Sequence, residues 1–111
     1  MDETLGSTRK ATIMEEIDKT CFEIIDDNIN MCIPWYFMET YARYEQHDPL
    51  ISNDRYQRVI KLMLDNWDSI EHESKSLVDK DHVWAERFEG VYPKRVKLAV
   101  EQIRKVHSRG K

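Results

Sequence analysis

The residues able to do chemistry are few, and their spacing limits what they could do. His47, His72, His82 and His107 contain no pair at i, i+3 or i+4, the separation at which one helix presents two zinc ligands. His47-Asp48 could open a metal-ligand set, but it stands directly before Pro49, where turn chemistry accounts for it. Glu15, Glu16 and Glu23 could hold a divalent cation if further acids shared their helix face. Three positions beyond the Glu-Glu pair, however, stands Lys19, and a second Glu-x-x-Asp is lacking, so a solvated acidic face is the expectation. Only 3 glycines occur, which leaves neither a P-loop nor a dinucleotide-binding fingerprint, and no Gly-x-Ser-x-Gly elbow exists. No catalytic residue and no metal site is assigned.

Two groups suited to binding remain. Trp35, Tyr36, Tyr41, Tyr44 and Tyr56 are large amphipathic rings that either build a core or line a shallow pocket, with core packing the leading expectation. Near the C-terminal end, Lys94, Arg95, Lys97, Arg104, Lys105, Arg109 and Lys111 face Glu101 alone, giving this stretch about +6 while the whole chain carries −4. Such cations complement a helix C-terminus or contact phosphates or an acidic protein surface. Aromatics are not interleaved there, which weighs against base stacking.

These residues must be positioned by helices. Asp48-Pro49-Leu50-Ile51-Ser52 forms a corner: Pro49 disfavours helix at Asp48, so a preceding helix should end near Gln46. Ser52 or Asn53 then caps a helix whose stripe is Tyr56, Val59, Ile60, Met63, Leu64 and Trp67, running to about Ile70. Upstream, Thr8 or Thr12 caps a first helix with Ile13, Ile17, Cys21 and Ile24 buried, flanked by Met14 and Ile25. Pro34 opens a second helix after a break at 28–32, with Phe37, Met38, Tyr41 and Tyr44 on one face. Glu71 to Ser76 reads as a loop. Val83, Trp84 and Phe88 reach the core from a short turn, and Gly90 stops it. Pro93 opens a last helix buried through Val96, Ala99, Val100, Ile103 and Val106. Alternating strand patterns are absent, so the chain reads as all-α, a small single-domain bundle of about four main helices.

At 111 residues the chain can bury one core. The expected division is a flexible tail at 1–10, a helical domain at 11–107 and a basic tail at 108–111. No apolar run approaches the ~20 residues that span a bilayer, and the polar start lacks a signal-peptide core. A cytoplasmic location is expected, with Cys21 and Cys32 reduced.

Tyr44, Pro49, Ile51, Ser52 and Tyr56 resemble the N-terminal helical (Ia) module of NAD-dependent DNA ligases, whose pattern is Tyr-Tyr/His, Asp-x-Pro, then Ile-Ser-Asp-x-x-Tyr-Asp. A longer run is similar to small standalone phage proteins related to those ligases. It comprises Pro34-Trp35, Tyr41 to Tyr44, Asp48 to Ser52, Trp67 to His72, and Tyr92-Pro93-Lys94-Arg95-Val96. The resemblance covers about Ile33 to Ile103. At positions matching the ligase pattern this chain has Arg43 for an aromatic, Asn53 for an acid and Gln57 for an Asp. A His-x-His-Lys-His run of the phage proteins reads His72-Glu73-Ser74-Lys75-Ser76 here. The Lys-x-Asp-Gly adenylation motif is absent, so the chain is not a ligase by itself.

The resemblance implies a non-catalytic phage module acting on a host or phage protein, in host takeover or anti-defence, within the host cytoplasm. Partner contacts are expected at Trp35, Tyr36, Lys94, Arg95, Arg104 and Lys105, beside a recess between the two aromatic-bearing helices. NAD or nicotinamide mononucleotide (NMN), or another nucleotide, bound through Tyr44, Tyr56, Asn53, Gln57 and Arg43 is one alternative. Nucleic acid bound along the basic last helix is another.

Overall fold

A helix that is apolar on every side must be surrounded, and Cys32-Ile33-Pro34-Trp35-Tyr36-Phe37-Met38 is such a stretch. In the computed structural model, which describes residues 2–78, 80, 83 and 92–108 and side chains within 12–107, it forms the centre of an all-α domain. The four α-helices among the described residues are α1 (Asp2–Asp27), α2 (Cys32–Thr40), α3 (Asn53–Asp65) and α4 (Lys94–Ser108). Helix α2 packs against α3 and α4, while α1 lies against α4 and the turn that follows α1. No strand occurs among the described residues, and no helix there is long and apolar enough to cross a membrane.

Helix α1 starts at Asp2, not at a cap on Thr8 or Thr12. The stretch expected as a tail has helical backbone, with Glu3, Leu5, Arg9, Lys10 and Ala11 as good helix formers. Ile17, Cys21 and Ile25 are buried at strict i, i+4 spacing, whereas Ile13 and Ile24 are half-buried. Ile25, not Ile24, thus completes the ladder. Asn28 ends the helix in extended backbone, and its side chain accepts from the Asn30 N–H at 3.1 Å to start a 3₁₀ turn, Ile29–Met31.

Helix α2 begins two residues before Pro34. The proline sits in the first turn, where its missing N–H has no helical partner to lose. Trp35, Tyr36, Phe37 and Met38 are all buried. The helical path continues through one π-turn, Tyr41–Glu45, and stops at Gln46 as the proline requires. The Gln46 N–H donates to the Tyr41 carbonyl at 3.1 Å, the wide i→i−5 bond of a π-turn.

Ser52 caps α3 by accepting from the Arg55 N–H at 3.3 Å. Tyr56, Val59, Ile60 and Met63 form its buried stripe. The helix ends at Asp65, short of Ile70, because the Asn66 amide donates to the Leu62 carbonyl at 2.9 Å. Leu64 and Trp67 are half-buried. The polar loop that follows contains a 3₁₀ turn, Lys75–Leu77, and Lys75 holds it by donating to the Trp67 and Ile70 carbonyls at 2.6 and 3.0 Å. Val83 reaches the core; Trp84, Phe88, Gly90, His82 and 109–111 lie outside the described residues. In α4, Val96 and Val100 are buried and Ala99 and Ile103 half-buried, but Val106 is exposed, since α4 outruns the core at that end.

Candidate functional site

The corner between the π-turn and α3 carries backbone groups with no regular ladder to satisfy them, and side chains from three helices and the π-turn do so. Glu39 of α2, wholly buried, accepts from the Leu50 and Ile51 N–H groups at 2.8 and 3.2 Å through Oε1. Its Oε2 accepts from Nε and Nη2 of Arg43 at 3.1 and 2.8 Å. Arg43 Nη2 also donates to the Ile51 carbonyl at 3.2 Å, and its guanidinium lies 5.0 Å from the centre of the Tyr56 ring. Asp18 of α1 accepts from the Ser52 N–H at 3.1 Å. Arg104 of α4 forms an ion pair with Asp48 at 3.1 Å and donates to Gln46 and to the Asp48 carbonyl. The Asp48 N–H reaches the Ala42 carbonyl at 2.9 Å across His47, whose φ of 54° is in the left-handed region.

Electrostatics follow from this enclosure. Burial pushes the Glu39 carboxyl up to about 7, and Arg43 with the two backbone N–H donors limits the rise. Burial also pushes the Tyr56 phenol far above its ordinary value, with Tyr36, Tyr44 and Glu39 adding to the effect. Both cysteines are free and buried; burial raises the Cys32 thiol to about 11 and the Cys21 thiol further.

The expected nucleotide-binding residues separate on this frame. Tyr44 and Tyr56 are neighbours, as their electrostatic coupling requires, but Tyr56 is 2% exposed with Arg43 over its ring. The recess expected between the two aromatic helices is closed there by the guanidinium, and Tyr56 is a core residue. Arg43 is tied to Glu39, Tyr44 is half-buried, and Asn53 and Gln57 are exposed on the first turns of α3. Trp35 and Tyr36 are 2% and 3% exposed, so these expected partner contacts are also core and neither ring is offered outward. Lys94, Arg95 and Lys105 are exposed, and Arg104 is half-buried against the corner. Glu15, Glu16 and Glu23 are exposed, as expected of a solvated face. Among the described residues no group of three His, Cys, Asp or Glu could hold a metal ion.

A cavity of about 260 Å³ opens elsewhere, between α2, the loop after α3 and the start of α4. Pro34, Phe37, Met38, Val96 and Ala99 give it apolar walls, and His72, Ser74 and Arg95 supply polar groups. The His72 Nδ1 accepts from the Ser74 N–H at 3.0 Å, which leaves Nε2 to carry the proton of the neutral ring. Arg95 forms an exposed ion pair with Glu73 at the loop.

Sequence reading did not single out Glu39 or this cavity. Glu39 and Arg43 at i, i+4 look like a surface ion pair. The available signal was the glutamate's place directly after the apolar run 35–38. The chain matches no protein-family model, no curated protein and no solved structure.

Proposed function

We propose that this chain is a non-catalytic binding module of phage origin, related to the N-terminal helical module of NAD-dependent DNA ligases, that works by gripping a protein partner. One observation supports this most: Pro34, His72 and the Arg95-Val96 pair line one cavity. They come from three separate segments of the run that resembles the phage ligase-related proteins. The polar groups buried at the corner hold backbone and hold one another, whereas this cavity presents both apolar and polar surface to solvent.

The nucleotide reading has less support, because the ring of Tyr56 is covered by Arg43. The nucleic-acid reading is weakened by Arg104, which is half-buried and already paired with Asp48. The test immobilises the parent beside an Ala99→Arg variant, which fills the cavity, and exposes both to host lysate. Capture of a protein by the parent that is lost from the variant, with helicity unchanged by circular dichroism, is the expected result. Capture indifferent to Ala99→Arg would overturn the reading. So would a saturable change in Trp fluorescence on titrating NAD or NMN, or binding of duplex DNA that weakens steeply with salt.

A further inference from the structure

Lys94, Arg95 and Lys97 occupy the opening turn of α4, and that turn holds no acidic residue. This inverts the usual preference, since the N-terminal end of a helix already carries partial positive charge and favours Asp or Glu. Helix dipole and side chains therefore add to one positive patch on a chain whose net charge is −4. The apolar cavity lies directly beside it, and Arg95 and Val96 belong to both. At about 260 Å³ the cavity exceeds the ~150 Å³ that accepts a benzene ring and falls short of the ~300–1,000 Å³ of sites that enclose drug-sized molecules. That size suits one large side chain.

The structure already displays the anionic half of a ligand. Glu73 places a carboxylate on Arg95 at the rim, with both side chains well exposed to solvent. An ion pair this exposed contributes little, so a carboxylate from outside can take the place of Glu73 at small cost. The guanidinium fork suits that group better than a lone ammonium would.

Resting on the binding-module reading above, we infer that this cavity takes one apolar side chain from an acidic segment of a partner protein, with a neighbouring carboxylate of that segment replacing Glu73 on Arg95. The apolar group supplies the anchor and the carboxylate supplies the register, the division of labour common at small protein interfaces.

The probe is a fluorescein-labelled decapeptide with a single Phe flanked by Asp and Glu, followed by anisotropy. Saturable binding to the parent is expected, at least tenfold weaker when Ala stands for Phe or Gln stands for the acids. Arg95→Glu should weaken it at least tenfold, and Glu73→Gln, which frees Arg95, should tighten it several-fold. Both positions are exposed, so the fold is retained. No binding at millimolar protein, indifference to Arg95→Glu, weakening by Glu73→Gln, or displacement by NMN would each overturn the inference. If the peptide fails while Ala99→Arg still abolishes capture of a protein from lysate, the binding-module reading stands and only this occupant is wrong. If capture survives Ala99→Arg, both fall.

Discussion

Glu39 offers the sharpest test of how the domain is held together. Its carboxyl is raised from an ordinary 4.5 to about 7, so the folded chain keeps a proton over a range where the unfolded chain has lost it. Under linkage, the contribution of Glu39 to stability is then complete below about pH 4.5, declines as the pH rises, and is gone above about 7. At ~1.4 kcal/mol per tenfold change, the span between those values amounts to about 3 kcal/mol. Glu39→Gln has no proton to lose. Its amide oxygen still accepts from the Leu50 and Ile51 N–H groups, while Arg43 keeps only the Ile51 carbonyl. Urea denaturation followed by Trp fluorescence, at half-unit steps from pH 4.5 to 8, measures both proteins. The variant should be less stable at the acidic end, and its deficit should shrink by about 3 kcal/mol towards pH 8. Taking the difference between the two curves removes the titration of the other groups. A constant deficit across the range, or one that widens with pH, would refute the account of Glu39 as a carboxyl whose burial outweighs its partners.

Three further outcomes rest on the same corner and core. His47→Gly should raise stability by up to about 1 kcal/mol, because glycine accepts the left-handed backbone without steric cost; a loss of stability in the same urea assay would count against it. Ser52→Ala removes the α3 cap and should cost about 1 kcal/mol, visible as a lower urea midpoint with unchanged slope. Cys21 and Cys32 should resist iodoacetamide in the native protein at pH 8 and react once urea unfolds it, as mass spectrometry would show; rapid native labelling would contradict their burial.

Periodicity carried the reading of α3 and most of α4, since Tyr56, Val59, Ile60 and Met63 can share a face only on a helix. Pro49 and Ser52 carried the corner, because a fixed φ and a capping hydroxyl act locally and leave a sequence trace. What escaped depends on neighbours distant in sequence. For Trp35, Tyr36 and Tyr56 the sequence left both core and contact roles open with core leading, and the packing of α3 and α4 on α2 decides for the core. Glu39 escaped for the converse reason: a glutamate in a helix reads as solvated until the loop it serves has folded over it. The π-turn at 41–45 has no composition of its own, and the cavity joins Pro34 to Arg95 across some sixty positions.

The central helix has only nine residues, below the ~12–15 at which an isolated helix becomes even marginal in water. It can exist only inside the assembly it organises. The domain therefore has no smaller working part: a fragment lacking α3 or α4 should lose α2 and with it the core, not persist as a trimmed bundle. Any transplantation of this module into another protein must carry the full set of helices at once.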